Sequence, residues 1–230
     1  MFSIFTYNVE FGNKIYEIYD WLKSLDEKPQ IICFQEFPEK EINNLGKNKI
    51  FKKQVFSFAP GVSNKKHIFG ELTIFDLSKV NKIEDKYLDF GIDKIESIYK
   101  RKYIERSAVL TSFKISNKTI SVANIHLTPV SLHGKRKKQL LKVIQNTQNK
   151  KSIILGDFNY SSLLGRRGLI SYMKSHGYDL AGEKLITNKY KNKIPQQLDY
   201  VFYKGLTSIK ATVIPLPYSD HYPVSATFEI

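Results

Sequence analysis

The chain has 230 residues, of which 42% are hydrophobic, and this length suits one α/β or all-β domain rather than two. We therefore predict a single domain over residues 1–230. Lys and Arg number 36 against 22 Asp and Glu, a net charge of +14 that favours a polyanionic partner such as nucleic acid or an anionic membrane surface. The excess is mostly Lys in a chain rich in Asn, Ile, Tyr and Phe, a mixture that AT-rich coding also produces, so the charge alone does not identify the polyanion.

The cysteine content and the hydropathy indicate where in the cell the protein is expected. Cys33 is the single cysteine, so no internal disulfide can form, and we interpret it as a small core residue. No apolar run approaches the roughly 20 residues that span a bilayer. The first residues, MFSIFTYNVE, begin as a strand and lack the pattern of a signal peptide. We therefore expect a cytoplasmic protein without an integral membrane segment, acting as a monomer.

The first half of the chain predicts strands and one helix. FSIFTYN (2–8) is a strand pattern, and residues 13–25 place apolar side chains on one helical face. QIICFQE (30–36) is a short apolar run typical of a strand buried on both faces. Further strands are predicted at 50–60, 68–76, 103–115 and 118–127, the last two joined by a hairpin turn at SNK.

In the second half of the chain, the predicted helices and strands alternate more evenly. Residues 134–149 form an amphipathic helix with a basic first turn, 151–159 (KSIILGDFN) a buried strand, and 163–178 a partly helical segment. Strands are predicted at 196–205, 208–217 and 222–230. We predict an α/β fold in which two mixed β-sheets pack face to face with helices outside, because that arrangement buries this many apolar strands.

Polar clusters follow these strands, where layered α/β folds build their sites. They supply carboxylates, amides and two histidines from separate strand ends: Asn8, Glu36, Asn124, His126, Asp157, Asn159, Asp199, Asp220 and His221. Hard oxygen ligands of this kind suit Mg²⁺ or Mn²⁺ better than zinc.

In order and spacing, the set TYNV, QE, NIHL, GDFN, LDYV and SDHYPV resembles the endonuclease/exonuclease/phosphatase superfamily, which has the deoxyribonuclease I-like fold. The resemblance extends from Asn8 to His221. It implies a four-layer α/β/β/α sandwich and metal-dependent hydrolysis of a phosphate ester.

The resemblance also implies roles for the residues that hold and activate water. Glu36 resembles the metal-binding glutamate, with Asn8 beside it and Asp220 supporting the metal side. His221 resembles the general base, and Asp199 resembles the carboxylate that fixes its tautomer.

Further roles concern the phosphate. Asp157 and Asn159 resemble the pair that positions the nucleophile and holds phosphoryl oxygens, and His126 resembles the second histidine, which contacts the phosphate and protonates the leaving oxygen. The resemblance also implies that Arg106 and Asn124 contact the substrate phosphate. Arg136 matches a recurrent helix arginine, for which a structural role is expected.

The residue at position 126 separates the branches of the superfamily. Histidine at position 126 argues against the abasic-site endonuclease branch, which usually has tyrosine there. Glu71 is a candidate to orient His126, with a solvated strand residue as the alternative.

His67, His133 and His176 match no motif of the superfamily and are interpreted as surface histidines. The basic runs KRKK (135–138) and GRRG (165–168) are either phosphate contacts or solvated faces.

The substrate class remains open at this stage. A metal-dependent nuclease or nucleic-acid phosphodiesterase is the first hypothesis. The alternatives are a phospholipid, sphingomyelin or inositol-phosphate phosphoesterase and a catalytically silent binding module. The first alternative requires an exposed apolar membrane-binding loop, and the second is disfavoured by the intact set of polar residues.

Overall fold

The computed structural model describes residues 1–48, 50, 54–64, 67–100, 103–129, 133–147, 149–183, 185–190 and 194–230. The strands are β1 (Phe2–Asn8), β2 (Ile31–Pro38), β3 (Gln54–Asn64), β4 (His67–Asp76), β5 (Asn81–Ile92), β6 (Tyr103–Ile115), β7 (Lys118–His126), β8 (Ser152–Asp157), β9 (Asp179–Leu180), β10 (Asn188–Tyr190), β11 (Ile194–Gln196), β12 (Asp199–Lys204), β13 (Thr207–Val213) and β14 (Val224–Glu229). The helices are α1 (Ile15–Ser24), α2 (Ile42–Asn48), α3 (Lys94–Lys100), α4 (His133–Asn146) and α5 (Leu163–Ser175), with 3₁₀ turns at Glu10–Gly12 and Glu39–Glu41.

Most of the sheet is one continuous, mixed structure. Across the described residues, twelve strands hydrogen-bond in the order β13-β14-β1-β2-β4-β3-β6-β7-β8-β12-β9, with β5 paired to β6 and with β10–β11 as a separate hairpin. The two sheets expected from the sequence are therefore joined. The join is short, because β3 meets β6 at only two recorded pairs, Val62 with Ile104 and Ser63 with Tyr103.

The two halves of this curled sheet share a core. Phe75 of the first half and Phe113 of the second are buried, and their ring centroids lie 4.9 Å apart in an edge-to-face contact. The outer face of the first half packs against α1 through Ile18 and Leu22, and that of the second half packs against α4 and α5 through residues such as Met173. Burial on both faces explains why β2 and β8 read as continuous apolar runs.

Elements predicted from a clear apolar pattern agree with the elements of the structure. The strand 103–115 agrees with β6 at both ends, and the SNK turn is a two-residue hairpin in which Ser116 and Asn117 have positive φ. Residues 51–53 of the predicted strand 50–60 lie outside the described residues. Cys33 is buried and free, as expected.

The sequence patterns missed β5, α2 and α3, as well as the short strands β9, β10 and β11. β5 is a largely exposed edge strand that pairs only with β6 in the recorded registers, so its side chains lack the apolar alternation of a half-buried strand. Within the described residues, no helix is long and apolar enough to cross a membrane.

Candidate active site

The predicted polar residues meet where strand ends from both halves of the sheet converge. β1 is parallel to β2, and β7 is parallel to β8, so the carboxyl ends of each pair lie at the same edge. In register, His126 pairs with Asp157, and Asp157 pairs with Asp199, the first residue of antiparallel β12. Cross-strand neighbours of this kind stand within side-chain reach, so three titratable groups form a row on adjacent strands.

Glu36 enters the cluster from an irregularity in β2. The pairing of β2 with β4 shifts register between Phe34 and Phe37, and Glu36 has a φ of 56°. A non-glycine residue in the left-handed region costs on the order of 1 kcal/mol, which surrounding structure must offset, and such strain is concentrated at functional sites. The half-buried carboxylate lies 3.9 Å from His126, measured from Oε1 to Nδ1.

Asn8 links the two halves of the sheet at this edge. Its side-chain Nδ2 donates to Oδ2 of Asp157 at 3.2 Å, and its Oδ1 accepts the backbone N–H of Glu10 at 3.1 Å. The Asn8 side chain is only 3% exposed, so these bonds hold the amide in a fixed orientation beside the end of β2.

Asp157 is the central carboxylate. Its Oδ2 lies 3.4 Å from Nε2 of His126 and 3.8 Å from Nε2 of His221, while Oδ1 accepts the backbone N–H of Asn159 at 2.9 Å. Burial raises its pKa to about 7, the charges of Asp199 and Glu36 also raise it, and His221 lowers it. The preceding Gly156 has a φ of 127°, and a Cβ there would stand 2.1 Å from a backbone oxygen of β7, so glycine is required before this aspartate.

Asp199 and His221 form a buried dyad. Oδ2 of Asp199 lies 2.7 Å from Nδ1 of His221, and the two side chains are 1% and 7% exposed. Burial lowers the pKa of His221, but the attraction of Asp199 and its hydrogen bond, with the charges of Asp157 and Asp220, raise it to about 10 overall. Nε2 of His221 points toward Asp157, so this nitrogen is directed into the cluster.

A residue that the sequence reasoning missed anchors this dyad. The hydroxyl oxygen of Thr187 accepts the backbone N–H groups of Leu198 and Asp199, both at 3.0 Å, and the Thr187 carbonyl accepts the N–H of Tyr222 at 2.6 Å. Thr187 is fully buried. It therefore fixes the start of β12 and the loop that carries His221 at the same time.

His126 occupies the opposite side of Asp157. Its Nδ1 lies 3.0 Å from Nη1 of Arg106, which is itself paired with Glu96 at 2.6 Å between Nη2 and Oε1. Arg106 is 1% exposed and lies against the histidine ring, and its contact with the substrate phosphate stays a prediction. No pattern in the sequence connected Glu96 with this site, since α3 was not predicted.

Glu71 has a different partner from the one expected. Its Oε2 lies 2.6 Å from the hydroxyl of Ser107, and burial raises its pKa to about 8. It is 1% exposed, which rules out the alternative of a solvated strand residue.

Asn124 does not join the cluster. It is completely buried, and its Nδ2 donates to the backbone oxygens of Phe34 and Leu72 at 3.0 and 3.1 Å, while Oδ1 accepts from Gln35 at 2.6 Å. These bonds connect β7 to the other half of the sheet. Asn124 therefore has a structural role in this fold, and its contact with phosphate stays a prediction.

Arg136 of α4 contacts Asn159 in the loop that follows β8. Asn159 has a φ of 56°, and its Nδ2 donates to the carbonyl of Leu127 at 2.8 Å. Arg136 donates to the Asn159 carbonyl and lies over the ring of Tyr160 at 4.9 Å, so it supports the loop after β8 as expected of a structural arginine.

Asp220 is exposed and lies beside a carboxylate that the sequence did not single out. Its backbone N–H donates to Oε2 of Glu10 at 3.3 Å, and its carbonyl accepts from Asn188 at 3.0 Å. Ser219 donates to the carbonyl of Asn8 at 2.8 Å, which brings this loop to the end of β1.

The remaining histidines and basic runs lie at the periphery. His67 is exposed, His176 hydrogen-bonds within α5, and the side chain of His133 lies outside the described part. Lys137 and Lys138 are exposed in the first two turns of α4, and Arg167 is exposed on α5.

The donor atoms of the cluster suit a hard cation. Among the described residues, no three His, Cys, Asp or Glu side chains converge closely enough to hold a metal by themselves. Mg²⁺, however, is usually held by one or two carboxylates together with water and substrate phosphate. Glu36 and Asn8 offer oxygens of this type, and Oδ1 of Asp199 is buried with no hydrogen-bond partner in the described part of the chain. Burial is the main cause of the raised pKa of Asp157, and the negative charges of Asp199 and Glu36, which a cation would offset, add to it.

These strand ends and their polar side chains define a layered α/β protein with a carboxylate–histidine site. The model of the Endonuclease/Exonuclease/phosphatase family matches residues 5–221, so the chain belongs to that family, a family of phosphoester hydrolases. The match includes every residue of the cluster.

The chain is also similar to curated relatives and to solved structures. A UPF0294 protein of Erwinia tasmaniensis is 29% identical over 132 residues, 55% of this chain and 48% of the relative, so the match spans about half of the relative's length. An endonuclease/exonuclease/phosphatase structure from Bacteroides vulgatus superposes with a TM-score of 0.78 at 15% identity, covering 100% of this chain and 98% of the other. The D. rerio TDP2 structure complexed with a single-strand DNA product gives a TM-score of 0.72 at 16% identity, covering 100% and 99%. The structural likenesses show the fold.

Proposed function

We propose that the chain is a metal-dependent phosphoesterase that hydrolyses a phosphodiester of nucleic acid with a water molecule activated by His221. The observation that carries the proposal is the buried Asp199–His221 dyad, 2.7 Å between Oδ2 and Nδ1, whose free nitrogen faces Asp157. Family membership supports the reaction class.

The dyad gives His221 a defined role. A carboxylate accepts the Nδ1 proton, which leaves Nε2 as the basic nitrogen directed at the cluster. A water held between His221 and Asp157 loses a proton to Nε2 as its oxygen bonds to phosphorus and the bond to the leaving oxygen breaks. Asp157 and the Asn8 amide orient the reactants, and His126 on the other side of Asp157 contacts the phosphate and the leaving oxygen.

Glu36 and Asn8 would hold Mg²⁺ or Mn²⁺, with Asp220 on the same side. The cation supplies charge that offsets the anionic phosphodiester. The pKa of His221 supports this requirement. The uncompensated carboxylates around it raise this pKa and so favour the protonated ring, whereas a base requires the neutral ring. Positive charge shared with those carboxylates lowers the proton affinity of the ring.

The metal requirement leads to the first prediction. Chelation should abolish hydrolysis, and Glu36→Gln should raise the metal concentration needed for half-maximal rate, because the amide loses the negative charge of the carboxylate. A titration of activity against Mg²⁺ and Mn²⁺ measures both. Glu39→Gln, just after β2, is the matched control. Full activity in excess chelator would contradict the metal assignment.

Nucleic acid is the proposed substrate for two reasons. The net charge of +14 favours a polyanionic substrate, and Lys137 and Lys138 are exposed on α4, directly after Arg136 in the sequence. The TDP2 neighbour is complexed with a single-strand DNA product.

A substrate panel tests this part. Single- and double-stranded DNA and RNA, phospholipids and inositol phosphates would be compared with Mg²⁺ present, using His221→Ala as the inactive reference. Hydrolysis of nucleic acid that disappears in the variant supports the proposal. Hydrolysis of only a lipid or a small phosphate would keep the mechanism and replace the substrate.

A further inference from the structure

At its Nδ1 atom, His126 contacts a cation. Nδ1 of His126 lies 3.0 Å from Nη1 of Arg106. A guanidinium group has only donors, so Nδ1 must accept this hydrogen bond. A neutral imidazole carries one ring proton, which therefore resides on Nε2. That nitrogen is 3.4 Å from Oδ2 of Asp157 and faces the cluster.

The guanidinium is itself fixed by Glu96. Nε and Nη2 of Arg106 contact Oε2 and Oε1 of Glu96 at 3.3 and 2.6 Å, a two-point contact that sets the plane of the group. Arg106 is 1% exposed and Glu96 is fully buried. A buried charge requires a partner, so each residue depends on the other, and the remaining Nη1 is aimed at the histidine.

Helix α3 positions this carboxylate. Asp93 accepts the backbone N–H of Glu96 at 3.1 Å through Oδ1, and its own N–H donates to the carbonyl of Ile104 at 2.8 Å. Lys135 of α4 lies 3.1 Å from Oδ2 of Asp93. The turn that carries Glu96 is thereby fastened to β6 and to α4.

Two other carboxylates are less suited to orient His126. Oε1 of Glu36 is 3.9 Å from Nδ1, beyond hydrogen-bond distance, and Glu71 is bonded to Ser107. The closest recorded contact of Nδ1 is therefore with Arg106.

The geometry points to Glu96 and Arg106 as positioning residues that hold His126 in the Nε2–H form, so that the ring presents a hydrogen-bond donor to the phosphoryl or leaving oxygen. The statement about the tautomer stands on the contacts alone. Its catalytic consequence rests on the proposed function.

Nuclear magnetic resonance of protein labelled with ¹⁵N-histidine tests the tautomer directly. Long-range ¹H–¹⁵N correlations distinguish a protonated ring nitrogen from an unprotonated one, and His126→Gln identifies the His126 signals by their loss. In the unaltered protein we expect a protonated Nε2 and an unprotonated Nδ1. A protonated Nδ1 in the neutral ring overturns the inference without the need for any further variant.

Glu96→Gln and Arg106→Met test the pair. Either change should shift the His126 signals toward a mixture of tautomers. Glu41→Gln is the matched control, because Glu41 is also buried but hydrogen-bonds to Tyr16 and Asn44. If Arg106→Met leaves a buried carboxylate that prevents folding, Glu96→Gln, which keeps the shape of the side chain, still decides. An unchanged tautomer in a folded Glu96→Gln protein with weakened Arg106 contacts would overturn the role of the pair.

Kinetics separate positioning from general stability. Loss of the hydrogen-bond partner behind a metal-bound histidine typically costs about 10–100-fold. By analogy, Glu96→Gln should lower kcat by a similar order while KM changes little. The loss should shrink for a substrate whose leaving group needs no proton. Equal losses for good and poor leaving groups would overturn the catalytic part. If no phosphoester is hydrolysed but the ring is in the Nε2–H form, the proposed function fails and the assignment of the tautomer holds.

Discussion

At the scale of single residues, the site combines groups whose charges depend on one another. Asp157 lies between two histidines and near two further carboxylates, and burial makes each charge costly without its neighbours. Changes at one residue should therefore alter the others, and effects within the dyad should not add independently.

The dyad gives the clearest test of this coupling. His221→Ala removes the proton acceptor and should lower the rate by about 10²–10⁴-fold. Asp199→Asn should also slow the reaction, because an amide stabilises imidazolium poorly. The double variant should be no slower than His221→Ala, since the two residues act as one unit. Single-turnover rates of the four proteins measure the cycle.

The control is His176→Ala, which removes a histidine that bonds within α5. Circular dichroism would verify that each variant is folded, because His221→Ala leaves a buried carboxylate behind. Rate losses that multiply would indicate that Asp199 acts separately from His221, for example on a metal.

Glu71 should make stability depend on pH. The Ser107 hydroxyl has one proton and lies 2.6 Å from Glu71 and 2.7 Å from the carbonyl of Pro60, so a protonated Glu71 that donates to Ser107 satisfies both contacts. The pKa is raised from 4.5 to about 8, so between these values the folded state keeps a proton that the unfolded state releases. The free energy of unfolding should then fall as pH rises, by up to about 1.4 kcal/mol per pH unit.

Glu71→Gln resembles the protonated form and should remove this slope. Denaturant unfolding at a series of pH values between 4.5 and 8 measures the difference between the two proteins. The free energy of unfolding of the variant, relative to that of the unaltered protein, should increase as pH rises. Parallel stability curves would show that Glu71 ionises normally.

At the scale of elements, one short segment controls where the dyad stands. Thr187 bonds the start of β12 and the loop that contains His221. The neighbouring Asn188 forms an isolated bridge with His221 and donates to the Asp220 carbonyl. The active geometry therefore depends on hydrogen bonds between elements that are far apart in the chain.

Thr187→Val should expose this dependence. Valine keeps the shape but removes the acceptor for two buried N–H groups, and an unsatisfied buried donor costs about 1–3 kcal/mol. We expect lower stability in denaturant and a lower kcat, because Asp199 loses a backbone anchor. Thr187→Ser, which keeps the hydroxyl, is the control. If the valine and serine variants behave alike, the hydroxyl has no such role.

At the scale of the whole molecule, the charge should govern the approach of substrate. The affinity for nucleic acid should fall steeply with salt, because each neutralised phosphate releases counterions. Lys137→Gln with Lys138→Gln should reduce the slope of log affinity against log salt by roughly 0.7–0.9 for each lost contact. Binding to an inactive variant, followed by fluorescence anisotropy, measures these slopes.

Lys23→Gln with Lys28→Gln is the control for this measurement, because these lysines lie on α1 and just after it, on the outer face of the other half of the sheet. Equal changes in slope for both pairs would indicate a diffuse field rather than a contact surface. No dependence on salt would remove the electrostatic argument for nucleic acid.

Sequence by itself determined the parts whose physics is local or periodic. The helix at α1 and the strands β1, β2, β6 and β8 follow from apolar spacing and from burial on both faces. Motifs at strand ends predicted Glu36, Asp157, Asp199 and His221 as site residues. Glu36 and Asp157 lie near the carboxyl ends of the parallel strands β2 and β8, whereas Asp199 begins the antiparallel strand β12 and His221 precedes β14.

Only the tertiary structure decided which of these groups touch. Arg106 and Glu96 are ten positions apart on elements with no shared pattern, yet burial forces them together and against His126. Asn124 sits two residues before His126 on the same face of β7, but it lies further inside the strand and is fully buried, and there it ties the halves of the sheet. The join between β3 and β6 likewise depends on two pairs formed by distant segments. Contacts of this kind form because folding brings distant segments together and because leaving buried polar groups unpaired is costly. A pattern of neighbouring residues in the sequence does not predict either effect.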